Sequence, residues 1–161
     1  MKDDVRARVD GLTGAGSIDG FRSEAARLPP GFTAVMFDVD LMNPFNDTFG
    51  HIEGDRALVR VAQALAAAVD PRALFRVGGD EFAVFVELTD WRTVARRAQA
   101  GVDGLRLPFR HAEVRLKHAD HLTVSVGAVT CREGEDGRAL LERLRDAVGH
   151  AKLGRPGGIH G

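Results

Sequence analysis

The stretch LFRVGGDEFAVFVE, residues 74–87, consists of two short runs of strand-forming residues around a glycine-rich centre. Residues 74–77 and 81–87 carry the β-branched, aromatic and other apolar side chains typical of strands, and Gly78-Gly79-Asp80 lies between them. This pattern predicts a β-hairpin. We expect its glycines to supply the positive φ angles that a tight turn requires.

A further strand is predicted at residues 32–40, FTAVMFDVD, which are apolar almost without interruption until the end of the run. Such a run is typical of a strand covered on both faces. It ends in Asp38 and Asp40, and the hairpin carries Asp80 and Glu81, so four carboxylates would lie at neighbouring strand ends. Oxygen ligands of this kind favour Mg²⁺ or Mn²⁺ over zinc, with positions left for substrate phosphates. For either pair alone, a solvated acidic turn is the alternative.

The remaining periodicity predicts four helices and two more strands. We expect helices at 18–28, 54–69, 90–105 and 138–152, strands at 109–117 and 121–130, and irregular structure between the first strand and residue 54. The order β-α-β-β-α-β predicts a ferredoxin-like α+β fold, an antiparallel or mixed sheet of about five strands flanked by helices. The 161 residues favour a single domain, with residues 1–9 as a lead-in.

Composition excludes several classes of function. With 22 Lys and Arg against 23 Asp and Glu, the chain has no basic field for a nucleic-acid duplex or a membrane surface. Cys131 is its single cysteine, which excludes an internal disulfide and a cysteine-rich zinc site. No apolar run has the length of a membrane span and no signal peptide is recognisable, so we expect a cytoplasmic protein.

Five motifs carry a family resemblance. Residues 76–82, RVGGDEF, resemble the signature R-[YF]-G-G-[DE]-E-F, and residues 38–55 match D-x-D-x-F-K-x-x-N-D-x-x-G-H-x-x-G-D except at Met42 and Asn43. The other three are D-x-L-T-G from Asp10, S-x-G from Ser125, and A-K-x-x-G-R near the C-terminus, here residues 151–155. From residue 10 to residue 155 the chain resembles the GGDEF-domain diguanylate cyclases.

The resemblance implies a polymerase-like palm that condenses two GTP into cyclic di-GMP, with one nucleotide on each subunit of a homodimer. It implies that Asp38, the Val39 carbonyl and Asp80 hold two Mg²⁺ or Mn²⁺ ions, with Asp80 also accepting the 3′-hydroxyl proton. Glu81 is either a second metal-facing carboxylate or a structural one. Asp40 lies on the same strand face as Asp38, which favours a supporting role over direct ligation.

The resemblance also assigns base recognition to Asn46 and Asp55. An ionised carboxylate only accepts hydrogen bonds, which suits the N1–H and N2–H donors of guanine and not the bare N1 of adenine. The alternative for both residues is turn formation and helix N-capping. We expect His51 to be a buried, hydrogen-bonded structural histidine with no catalytic role.

The expected phosphate contacts are Asn43, Lys152 and Arg155, and here the chain departs from the family. Met42-Asn43 replaces the usual Phe-Lys, which removes a cation beside the triphosphate. Arg155 follows Lys152 by three positions, whereas the Arg of the family motif follows its Lys by four. Val69 and Arg72 replace the Arg and Asp of the family's R-x-x-D product-binding site, so we expect no product inhibition there.

Two other functions remain open. One is a related palm-domain cyclase that makes another cyclic nucleotide. The other is a degenerate GTP-binding domain that regulates a partner. The sequence contains no sensory segment that we recognise, so we expect either that it is an excised part of a longer protein or that a sensory or regulatory partner acts in trans.

Overall fold

The computed structural model describes residues 8–70, 73–87, 89–108, 120–153 and 156–161. Its elements in chain order are α1 (Ile18–Ala25), β1 (Phe32–Val39), α2 (Met42–Phe49), α3 (His51–Ala68), β2 (Phe75–Arg76), β3 (Glu81–Glu87), α4 (Trp91–Asp103), β4 (Val124–Thr130), α5 (Gly137–Lys152) and β5 (Ile159–His160).

The five strands form one mixed sheet in the order β2-β3-β1-β4-β5. The central strand β1 is antiparallel to both neighbours, β3 and β4. Strand β2 is antiparallel to β3, and β5 is parallel to β4. The predicted α+β sheet of five strands flanked by helices is confirmed.

Alternation along β1 builds one core on each face of the sheet. Val35, Phe37 and Val39 point to the side covered by α2, α3 and α4, whereas Ala34 and Met36 point to the side covered by α1 and α5. All five side chains are at most 1% exposed, which explains the continuous apolar run of this strand.

The segment after β1 differs from the expectation, because the stretch predicted to be irregular contains α2 and the first turn of α3. Pro44 is tolerated in the first turn of α2, where its missing N–H has no intrahelical partner to lose. Gly50, at φ 86°, ends α2 and begins α3. The helical spacing of the buried Met42 and Phe45 was the signal for α2.

Smaller differences concern the strands and the hairpin turn. The predicted strand at 109–117 lies outside the described residues, and β5, which was not predicted, is the fifth strand. Neither Gly78 nor Gly79 has a positive φ angle, so the reason expected for these glycines was wrong. At Gly78 the reason is space, because a Cβ there would lie 2.1 Å from Oε2 of Glu81.

Within the described ranges, none of the helices has both the length and the apolar character needed to cross a membrane.

Candidate active site

Two carboxylates meet where β1 and β3 lie side by side. Asp38 is directly opposite Glu81 in the register of these strands, so both side chains project from the same face of the sheet. The backbone N–H of Val39 donates to the carbonyl of Asp80 over 3.0 Å, which ties the end of β1 to the hairpin turn. The predicted metal ligands Asp38, Val39 and Asp80 are therefore adjacent.

Lys152, at the end of α5, closes this edge from one side. Its Nζ donates to Oδ1 of Asp38 over 2.5 Å and lies 3.8 Å from Oδ1 of Asp40. Burial raises the pKa of Asp38 to about 6, with the charges of Asp80 and Asp40 adding to this and Lys152 opposing it. Burial alone would lower the pKa of Lys152, but the three carboxylates outweigh it and raise that pKa above its usual value.

Asp40 is only 3% exposed, and its carboxylate is hydrogen-bonded on both oxygens. It accepts from the hydroxyls of Thr123 and Ser125, each at 2.8 Å, and from the backbone N–H of Gly157 at 2.9 Å. These bonds connect β4 and the segment before β5 to the end of β1. Asp40 thus supports the edge that Asp38 presents.

Glu81 is held by Arg145 of α5. Nε and Nη2 of Arg145 donate to the two carboxylate oxygens of Glu81 at 2.8–3.2 Å, and the contact with Glu81 raises the pKa of Arg145. Two-point pairing of this kind fixes the carboxylate as well as neutralising it. Sequence reasoning missed Arg145, although it precedes Lys152 by seven residues, which is two helical turns on the same face.

Arg76 fixes the other end of the hairpin turn. Its Nε and Nη2 donate to the carbonyl of Gly79 at 3.1 and 2.6 Å, and its Nη1 pairs with Asp10 at 3.2 Å. Burial alone would raise the pKa of Asp10, but hydrogen bonds from Thr13 and Arg76 outweigh it and lower that pKa. The N-terminal D-x-L-T-G turn is therefore joined to the turn that carries Asp80.

A cleft of about 290 Å³ opens beside Asp80. Its lining is Met42, Asn43, Asn46, Leu58, Arg76, Gly79 and Asp80. Residues predicted separately to bind a metal, a phosphate and a base thus line one cleft. The first turn of α2 also forms part of the cleft wall. The first N–H groups of this helix have no intrahelical acceptor.

Neither proposed base contact is a helix cap. Asn46 lies within α2 and Asp55 within α3, while the residue that precedes α3 is Gly50. Oδ1 of Asn46 is buried without a hydrogen-bond partner. A Cβ at Gly54 would lie 1.8 Å from this atom, so glycine is required for Asn46 to pack against α3. Asp55 is exposed on the same helix.

The remaining predicted positions are less closely defined. Asn43 is exposed in the first turn of α2. The expected burial of His51 was wrong, because His51 is exposed at the start of α3. Val69 caps the C-terminus of α3. Arg155 and Arg72 lie outside the described residues.

The donor set suits Mg²⁺, which proteins usually bind through one or two carboxylates together with water and substrate phosphates. Asp38, Asp80 and the Val39 carbonyl supply oxygen donors of that kind on adjacent backbone. In the part of the chain that the structure describes, no group of three or more His, Cys, Asp or Glu side chains forms a ready-made metal cluster. The oxygen donors of Asp38, Val39 and Asp80 fit a metal whose coordination is completed by water and substrate phosphates.

Comparison with known proteins identifies the family of the chain. The family model described as "Diguanylate cyclase, GGDEF domain" matches residues 21–156. The response regulator PleD of Caulobacter vibrioides is 33% identical over 158 residues, which is 91% of this chain and 34% of PleD. The cyclic di-GMP phosphodiesterase PdeR of Escherichia coli is 32% identical over 125 residues, 76% of this chain and 18% of PdeR.

Among solved structures, the coiled coil and GGDEF domain of DgcB from Caulobacter crescentus, in complex with c-di-GMP, superposes with a TM-score of 0.77. It is 26% identical, and the match covers 99% of this chain and 88% of that one. The chain belongs to the GGDEF domain family of diguanylate cyclases, so the resemblance noted in the sequence is confirmed. It spans about a third of the length of PleD.

Proposed function

We propose that this chain is a diguanylate cyclase that condenses two GTP into cyclic di-GMP by two-metal phosphoryl transfer across a homodimer. The observation that carries the proposal is the single cleft lined by Asp80, Asn43 and Asn46, residues distant in sequence that suit the three parts of a nucleotide. Family membership supports the reaction class. A GTP-dependent reaction also favours a cytoplasmic location.

The metal side of the mechanism rests on Asp38, the Val39 carbonyl and Asp80, which would hold two Mg²⁺ or Mn²⁺ ions. When bound, these ions would neutralise charge on the attacking and leaving oxygens. Asp80, at the edge of the cleft, is the proposed acceptor of the 3′-hydroxyl proton. We assign Glu81 a structural role, because Arg145 engages both of its carboxylate oxygens.

The nucleotide side rests on the two helices after β1. Asn46 and Asp55 would bind the guanine edge, since Asn46 lines the cleft and the carboxylate of Asp55 is exposed on α3. Asn43, the N-terminus of α2, Lys152 and Arg155 would contact the phosphates, since a helix N-terminus attracts anions.

A second subunit follows from the reaction itself. One subunit holding one GTP cannot form two reciprocal phosphodiester bonds, because each 3′-hydroxyl must attack the α-phosphate of the other nucleotide. We therefore propose a homodimer in which the two clefts face each other. A sensory or regulatory partner in trans is compatible with this arrangement.

The proposed function is tested by incubating the protein with each nucleoside triphosphate and Mg²⁺ or Mn²⁺ and identifying products by mass. We expect a guanine dinucleotide with two phosphodiester bonds, at a specific activity that rises with protein concentration. Products with other bases would indicate a different cyclase. GTP binding without product would indicate a regulatory domain.

Replacing Asp55 with alanine should reduce the preference for GTP over ATP more than it reduces metal binding. The carboxylate of Asp55 is exposed on α3, and its proposed partner is the base and not a metal. Competition binding with the two nucleotides measures the preference. Glu53→Ala is the matched control, because it removes another exposed carboxylate two residues away on the same helix. If Asp55→Ala keeps the wild-type preference, Asp55 does not recognise the base.

A further inference from the structure

Arg145 and Lys152, both on α5, bind carboxylates of the sheet in different ways. Arg145 holds both oxygens of Glu81, whereas Lys152 makes a single hydrogen bond of 2.5 Å to Oδ1 of Asp38. The Lys152 side chain is 40% exposed and Asp38 only 14%. Lysine has a flexible aliphatic side chain that ends in a single ammonium group, whereas the planar guanidinium of arginine can donate two parallel hydrogen bonds. The Lys152 contact is therefore the one that can open easily.

The surroundings of Lys152 do not depend on that contact. Asp40 has its own donors in Thr123, Ser125 and Gly157, so it remains hydrogen-bonded if Lys152 moves away. Asp38 has no such substitute, since Lys152 is the one described side chain that donates to it. A partly buried carboxylate left without a cation is costly, which means that whatever removes Lys152 has to supply positive charge.

We propose that Lys152 is an exchangeable counterion of the metal site: it neutralises Asp38 in the metal-free domain and is released to the triphosphate when a metal takes its place. This inference rests on the proposed function, because it takes Asp38 as a metal ligand. The metal and the ammonium compete for one carboxylate, whereas the metal and the nucleotide do not. Binding of the metal therefore favours binding of the nucleotide, and by reciprocity binding of the nucleotide favours binding of the metal.

The first test is Mn²⁺ alone, without nucleotide, measured by the electron paramagnetic resonance of free Mn²⁺. Lys152→Met removes the competitor, so Mn²⁺ should bind about 5- to 10-fold more tightly than to the wild type, a modest effect for coupled sites. Lys152→Gln should do the same. The exposed Arg138, on the first turn of α5, provides the control: Arg138→Met removes one charge and should leave Mn²⁺ affinity unchanged.

The second test adds the α,β-methylene analogue of GTP, which cannot release pyrophosphate. In the wild type this analogue should tighten Mn²⁺ binding more than it does in Lys152→Met, and the variant should bind the analogue more weakly. Loss of nucleotide affinity together with gain of metal affinity is a combination that a purely structural lysine would not produce.

The proposal is overturned if Lys152→Met binds Mn²⁺ no more tightly than the wild type, or if Arg138→Met gives the same gain. Absence of saturable Mn²⁺ binding by Lys152→Met would overturn it as well. Its failure is distinct from failure of the proposed function, because Mn²⁺ affinity is measured without turnover. A cyclase with unchanged Mn²⁺ affinity would refute the exchange alone, whereas tightened Mn²⁺ binding without cyclic product would refute the cyclase alone.

Discussion

Asp80→Asn is expected to lower kcat for cyclic di-GMP formation by about 1,000-fold or more, the size of effect seen when one group that stabilises a transition state is removed. Asp80 lines the cleft, and its backbone carbonyl accepts from the Val39 N–H. Asparagine keeps the size of the side chain and leaves that backbone bond in place. It removes the negative charge that would bind a metal and the basic oxygen that would accept a proton.

The measurement is initial-rate kinetics at saturating GTP and Mg²⁺, with urea unfolding to show that the variant is folded. Asp146→Asn is a suitable control, because Asp146 is exposed on α5 and its side chain lies outside the cleft lining. A folded Asp80→Asn protein with more than about a tenth of wild-type activity would mean that Asp80 is neither metal ligand nor proton acceptor, since such groups contribute at least about 100-fold.

Gly127→Ala should lower the free energy of unfolding by about 2–3 kcal/mol, the range typical of an overpacked core. Gly127 is buried in β4, and a Cβ there would lie 2.5 Å from the backbone nitrogen of Val148 and 2.9 Å from the carbonyl carbon of Ala147. These are backbone atoms of α5, which cannot turn aside as a side chain can. The helix that carries Arg145 and Lys152 would have to move away from the sheet.

Gly149→Ala is the matched control on the same helix. Nothing lies within 4 Å of a Cβ at Gly149, so alanine should stabilise the protein by about 0.5–1 kcal/mol through its better helix propensity. Equilibrium unfolding in urea measures both variants. If Gly127→Ala loses no stability, the close approach of α5 to β4 is not a requirement of the fold.

Local patterns predicted much of the sheet. The apolar run that ends at Asp38 and Asp40 predicted β1. The two strand-forming runs around Gly78-Gly79-Asp80 predicted the hairpin. Both patterns depend on side-chain alternation and turn residues within a few positions, which a sequence displays directly. Helices α4 and α5 were found within two residues of their ends for the same reason.

The parts not predicted depend on contacts between distant segments. Strand β5 has two residues, and its place is set by β4 and by the bond between Gly157 and Asp40. The pairing of Arg145 with Glu81 requires α5 to lie across the end of β3, which local periodicity does not reveal. Gly54 likewise owes its role to Asn46, because a Cβ there would collide with the Asn46 side chain.

The central position of β1 also determines how the domain folds. Its partners β3 and β4 follow it by about fifty and ninety residues, so closing the sheet brings together segments separated by much of the chain. Contacts of such long range slow folding, because chain entropy is lost before the contacts form. Until β4 arrives, an apolar strand has one open edge, the kind of surface that pairs with other chains and aggregates. Fragments that end before β4 should therefore be poorly soluble.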